Sequence, residues 1–171
     1  PEVSNDSFAT REVITGAPLV INTNNRYATR EAGEPAHGGW VDGGGTHSIW
    51  YSWTAPATGA YQLDTAGSGA LVSLTVYTGT ALGSLTQIAS DYNSGGFGNS
   101  RVILNATAGT TYAIAMDSPD EGYYGEAKLN LKSIVLAPND HFASATVIPG
   151  APTQGNPLVV TGHNTGAAQE I

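Results

Sequence analysis

Apolar and polar positions alternate with a period of two along most of this chain, most clearly from Ser48 to Thr65. There Ile49, Tyr51 and Trp53 share one face and Trp50, Ser52 and Thr54 the other; further on, Tyr61 and Leu63 alternate with Gln62 and Asp64. A period of two is the mark of a half-buried strand. Between the arms lies Ala55-Pro56-Ala57-Thr58-Gly59. Pro56 presets its own φ and Gly59 tolerates positive φ, so the chain should reverse. The stretch therefore predicts a hairpin. Its inward stripe is Ile49, Tyr51, Trp53, Tyr61 and Leu63, and Trp50 should be the more exposed tryptophan.

The same alternation recurs. Strands are predicted over 18–23, 71–78 (Val72, Leu74 and Val76 inward), 85–90, 101–106 (Val102 and Leu104 inward), 110–116 and 126–134. In the 110–116 strand Tyr112, Ile114 and Met116 alternate with alanines, and in the last strand Leu129 and Leu131 alternate with Lys128, Asn130 and Lys132. Near the start, Asn5-Asp6 suits a turn or cap, with Phe8 and Val13-Ile14 as buried anchors. Long loops cover 24–46, 91–99 and 117–125. About eight evenly spaced strands without a helical pattern predict an all-β fold, a β-sandwich or jelly roll.

Composition narrows the function. The 171 residues include 22 glycines and nine prolines, which suits a turn-rich β protein. Only 12% are charged, the net charge is −8, and Lys128 and Lys132 are the only lysines. Nucleic acid and anionic membrane surfaces both need clustered cations, so neither is an expected partner. With no cysteine, disulfides and thiolate sites are excluded. No apolar run approaches the ~20 residues of a membrane span. Pro1 is not a native start, so the chain reads as a mature or excised piece of something longer.

A repeat organises the chain. Residues 4–16 are echoed by 138–150, with Asn, Asp, Phe, Ala, Val, Ile and Gly in register at seven of thirteen positions. After a shift of five, Asn25, Ala28 and Glu31 correspond to Asn164, Ala167 and Glu170. Residues 1–135 thus read as one complete module and 136–171 as the start of a second, truncated copy or a donor segment. Its apolar anchors are Phe142, Val147, Ile148, Leu158, Val159 and Val160. So short a segment cannot offset its own chain entropy, and it must pack on something. It could lie back on its own module, begin a second module, or donate a strand to another copy and so propagate a head-to-tail filament.

Several motifs together carry a family likeness. They are Asn5-Asp6-x-Phe8, Ala28-Thr29-x-Glu31-x-Gly33-Glu34-Pro35-x-His37, Ser48-Ile49-Trp50-Tyr51-x-Trp53-Thr54-Ala55-Pro56, Asp64-Thr65-x-Gly67-Ser68, Val76-Tyr77-Thr78-Gly79 and Ala108-Gly109-Thr110-Thr111-Tyr112-x-Ile114-Ala115. In this order they resemble the bacterial pre-peptidase C-terminal domain, over the whole of 1–135. The chain departs from that pattern at Ala70-Leu71-Val72 and Ser90-Asp91-Tyr92, where acidic residues are expected. The resemblance implies an extracellular, non-catalytic jelly-roll module, used in tandem in large secreted or surface proteins or beside a protease. It also implies calcium, because related collagen-binding modules hold that ion with N-terminal acidic and Asn residues.

Candidate chemistry is sparse. Glu2, Asn5 and Asp6 at the start and Asp117, Asp120 and Glu121 in a later loop offer hard oxygen ligands that could together coordinate calcium; equally, such residues cap turns and solvate loops. Glu34, His37 and His47 form a His₂Glu set known from catalytic zinc, but on a proline-containing loop rather than a helix. Its alternative is a loop pinned by hydrogen bonds. No nucleophile elbow is present, and no catalytic residue is assigned. Trp40, Tyr92, Phe97, Tyr123 and Tyr124 sit on loops, where aromatics stack on sugars, anchor a protein or simply cover the sandwich ends.

The expected function is a structural or adhesive module of a bacterial secreted or cell-surface repeat protein. Its partners would be neighbouring modules or copies of itself. The alternative is an accessory module of a secreted hydrolase, binding a glycan or a matrix protein. A metal-dependent hydrolase built on Glu34, His37 and His47 is the third possibility.

Overall fold

The computed structural model describes residues 3–38, 45–118 and 122–136. The chain divides into two compact units, Pro1–Ser133 and Ile134–Ile171. Nearly all described residues belong to the first, and the six apolar anchors of the expected second copy, Phe142, Val147, Ile148, Leu158, Val159 and Val160, lie outside them.

Nine strands build the first unit: β1 (Glu12–Ile14), β2 (Leu19–Asn24), β3 (Ile49–Thr54), β4 (Gly59–Asp64), β5 (Ser73–Thr78), β6 (Thr86–Asp91), β7 (Arg101–Ala106), β8 (Thr111–Asp117) and β9 (Glu126–Ile134). Two 3₁₀ turns, Phe8–Thr10 and Leu82–Ser84, complete the elements. The strands form a five-stranded sheet ordered β1-β3-β8-β5-β6 and a four-stranded sheet ordered β2-β9-β4-β7. β2–β9, β3–β8, β4–β7, β5–β6 and β5–β8 pair antiparallel, and β1–β3 pairs parallel. The expected β-sandwich is therefore present, with β1 as a strand that its three residues were too few to announce.

One expectation is overturned. Residues 48–65 are not a hairpin, because β3 lies in the five-stranded sheet and β4 in the four-stranded one. The chain does reverse at Pro56–Gly59, but it crosses between sheets. Ala55 N–H donates to Thr110 O and Gly109 N–H to Ala55 O, tying this arch to the turn before β8. Alternation reports which face a side chain takes and is silent on which strand pairs with it.

Between the sheets lies the main core. Ile49, Tyr51, Trp53, Tyr61, Leu63, Val72, Leu74, Val76, Val102, Leu104, Tyr112, Ile114, Met116, Leu129 and Leu131 are all buried there, as their periodicity predicts. Trp53 meets Tyr61 edge to face at 4.9 Å and donates its indole N–H to Gly16 O at 2.9 Å.

A second core covers the opposite face of the five-stranded sheet. It contains Phe8, Trp50, Tyr77, Ala113 and Ala115, with Leu82 and Leu85 packed against it. Trp50 is fully buried, not exposed as its position in the alternation suggested. The register explains how: Trp50 sits opposite Ala115 and Tyr77 opposite Ala113, so small residues on β8 leave room for large ones beside them. Phe8 closes on Trp50 edge to face at 5.2 Å. Val13 also departs from expectation, being 74% exposed while Ile14 is buried. It pairs with Ser52, which places it on the outer face at the sheet margin, beyond the covering layer.

Because both faces of β3 are buried, Trp50→Ala should destabilise as severely as Trp53→Ala, by about 3–5 kcal/mol each. Denaturant midpoints would check this; a much smaller loss for Trp50→Ala would contradict a sealed second core.

Candidate functional site

The segment from Asn25 to Ser48 leaves the four-stranded sheet and brings its ionisable side chains onto the outer face of the five-stranded one. Glu34 is its centre. Its Oε1 accepts hydrogen bonds from Ser48 Oγ at 2.7 Å and from the Trp50 indole N–H, and its Oε2 accepts from Glu31 N at 2.9 Å. His37 Nε2 lies 3.5 Å from Glu34 Oε1, an ionic contact too loose for a hydrogen bond. The other ring nitrogen, Nδ1, is 2.8 Å from the Tyr77 hydroxyl, and the ring meets Trp50 edge to face at 5.0 Å. Gly38 N–H donates to Thr75 Oγ1 at 2.9 Å. At that glycine φ is +66°, and a Cβ would stand 2.5 Å from Ser73 Cβ, so only glycine permits the approach.

Asp117 ends β8 beside this cluster. Its Oδ1 accepts from His47 N at 3.0 Å, and the backbone of Gly45 is packed directly on the carboxylate. Asn25 ties the start of the segment down, donating through Nδ2 to His47 O and Ser118 Oγ and accepting at Oδ1 from Gly125 N.

The two carboxyls titrate in opposite directions. Burial pushes Glu34 up, but the nearby His37 ring and the hydrogen bond from Ser48 outweigh it, leaving the group below its usual value. Burial also pushes Asp117 up; the attraction of His37 and the His47 N–H only partly offset it, and the negative charge of Glu34 works against them. Burial likewise raises the Tyr77 hydroxyl. Glu34, His37, Tyr77 and Asp117 are all buried.

This arrangement corrects the zinc expectation. Glu34 and His37 are brought together, but His47 is turned away, its ring against Tyr124 with 4.3 Å between centroids and its Nδ1 on Thr46. Among the described residues no three His, Asp or Glu side chains form a group that could hold a metal ion. The alternative of a pinned loop fits, although the bonds run mainly to side chains rather than to backbone.

The described members of the calcium set have separate partners. Asn5 is buried, accepting from Trp50 N and donating from Nδ2 to Trp50 O, and so extends the hydrogen bonding of β3. Asp6 accepts from both the N–H and the hydroxyl of Thr29. Asp117 is held by His47, while Glu2, Asp120 and Glu121 lie outside the described residues.

Of the aromatic set, Tyr92 is 47%, Tyr123 53% and Phe97 fully exposed. Tyr124 is half-buried against His47, and Trp40 lies outside the described residues. Sequence reading missed Asn25, Tyr77 and Trp50 as parts of the polar cluster; the alanines alternating along β8 were the signal that something large packs outside that sheet.

No protein-family model matches the chain, and no curated protein matches it. Solved structures do. One is the pre-peptidase C-terminal domain of a collagenase from Bacillus anthracis, 15% identical over 71% of this chain and 94% of that one, with a TM-score of 0.47. Another is a ruminal GH26 endo-β-1,4-mannanase, also 15% identical, with a TM-score of 0.32; the match covers 73% of this chain and 28% of the mannanase. The first bears the name of the family whose motifs this sequence resembles. No helix among the described residues is long and apolar enough to cross a membrane.

The pKa directions set a pH test. A lowered Glu34 stabilises the fold above its usual value of 4.5, and that contribution is lost as pH falls through the folded value. Glu34→Gln should therefore cost about 1–3 kcal/mol at neutral pH, with the gap to wild type closing on acidification. A raised Asp117 has the reverse sign, since its ionisation weakens the fold as pH rises above its usual 3.8. Asp117→Asn should gain on wild type over that rise. Urea unfolding across this range reads both, and parallel curves for wild type and Glu34→Gln would contradict the assignment.

Proposed function

We propose that this chain supplies a non-catalytic accessory module of a bacterial secreted or cell-surface protein, which presents its loops to a partner from a rigid β-sandwich. One contrast carries the reading. The ionisable cluster of Glu34, His37, Tyr77 and Asp117 is closed beneath a loop, whereas Tyr92, Phe97 and Tyr123 stand out from loops in solvent. General acid–base chemistry needs its groups within reach of a substrate, and these four are buried. Exposed aromatics on a rigid scaffold suit recognition. A structural role beside neighbouring modules, or beside copies of the same chain, is part of the same proposal.

A head-to-tail assembly would use the sheet margins. β1 has only three residues and closes one side of the five-stranded sheet, and its central residue, Val13, is 74% exposed. Such an edge accepts a further strand, and residues 136–171 of another copy would be its donor.

Two measurements test these readings. The full chain, incubated with peptide, ester and glycoside substrates, should show no turnover above buffer; turnover abolished by Glu34→Gln would overturn the accessory reading. Light scattering of the chain truncated after Val135 should show smaller species than the whole chain. Equal sizes would end the strand-donor reading.

A further inference from the structure

Phe97 is the most exposed large apolar residue described and the one non-glycine residue described with positive φ, at 55°. The conformation closes a tight turn in which Asn99 N–H donates to Gly96 O, but a glycine at Phe97 would close it without strain, and the ring itself is left in water. Glycine or asparagine is the ordinary occupant of left-handed backbone, and an aromatic ring fully in water contributes no burial. Yet the loop holds this conformation firmly. Asn93 Oδ1 accepts from Gly98 N at 3.1 Å, and Asn99 Nδ2 donates to Gly96 O at 2.9 Å. Asp91 Oδ2 accepts from both Ser94 N and Arg101 N. An aromatic ring that the fold does not bury, presented on a turn held by this many bonds, points to use by a ligand.

Phe97 shares its end of the sandwich with two other features. Leu71 stands beside Gly98 and donates its N–H to the carbonyl of Tyr123, so the loops bearing Phe97 and Tyr123 meet across Leu71. Just before Leu71 in the chain, Gly69 and Ala70 donate to Glu126 O, and Gly67 lies against the Lys128 side chain. Gly67, Glu126 and Lys128 border an open groove of about 630 Å³ on the outer face of the four-stranded sheet. Asn22 and Asn24 line it opposite Lys128 and Glu126, their partners in the β2–β9 register. Segment 67–71 thus connects a polar groove to a pair of exposed aromatic rings.

From this surface we infer that the loop end binds a neutral polysaccharide; the inference rests on the accessory-module reading and names its ligand class. Open aromatic faces stack on the C–H faces of sugar rings. Two amides, an ammonium and a carboxylate supply the donors and acceptors that hydroxyls require. Lys128 and Glu126 offset each other, and a net charge of −8 disfavours polyanions. The separation of rings and groove along segment 67–71 suits a chain of several sugar units. A protein partner fits less well, since the groove is lined largely by amides and charges and offers no continuous apolar centre.

Native gel electrophoresis of the full chain through galactomannan, xylan or hydroxyethylcellulose, with sedimentation on insoluble cellulose and chitin, tests the inference. Retardation or retention by at least one of these polymers is expected. Phe97→Gly should weaken it about tenfold while leaving the melting temperature unchanged or higher. Lys128→Ala should weaken it similarly, and Val13→Ala should not. Failure to bind any of the polymers, or a Phe97→Gly variant that binds as tightly as wild type, would overturn the inference. Binding confined to alginate, collagen or lipid vesicles would overturn it too. Cleavage of a bound polymer would instead overturn the accessory reading and leave the binding surface standing.

Discussion

The fold depends on sealing both faces of the five-stranded sheet. One face meets the four-stranded sheet in the manner of any sandwich. The other carries Trp50 and Tyr77, and leaving two such rings in water would forfeit a large part of the apolar burial available to the domain. The Glu34 carboxylate resolves this: it accepts from the Trp50 indole and from Ser48, and so fastens the covering segment to the sheet. A buried carboxylate is tolerable only when its lone pairs are filled, and here three donors and the His37 ring surround it.

That latch determines what the loop end can be. Segment 25–48 begins at Asn25, whose amide joins β2, His47, Ser118 and the turn before β9, and it ends at Ser48 against Glu34. With its path constrained at both ends, the neighbouring loops are free to differ in chemistry without loosening the sandwich. The acid–base groups face inward and the aromatics outward.

The aromatic loop and the polar groove occupy the end of the sandwich where β2 finishes and β9 begins. Connections gathered at one end of paired sheets form a surface whose geometry is set by the strands beneath, so the proposed recognition there would require little ordering on binding. Phe97 extends this logic to a single residue, whose unfavourable backbone is held by side-chain caps from Asp91, Asn93 and Asn99.

Much of this was legible in the residues alone. Strand positions and the inward faces of Tyr51, Trp53, Leu74, Val102, Ile114 and Leu129 follow from alternation, because a side chain's face is decided by its immediate neighbours in a pleated strand. Positions of β7 and β9 were legible to the residue for the same reason. Only the tertiary structure decided that β3 and β4 belong to different sheets, and that Trp50, assigned by alternation to the solvent side, is buried. It alone decided that Glu34 and His37 form a latch from which His47 is excluded. Each of these depends on partners far away in sequence, such as Glu34 for Trp50 and Ala115 across the register, and a local pattern of period two holds no information about which distant segment will cover a face.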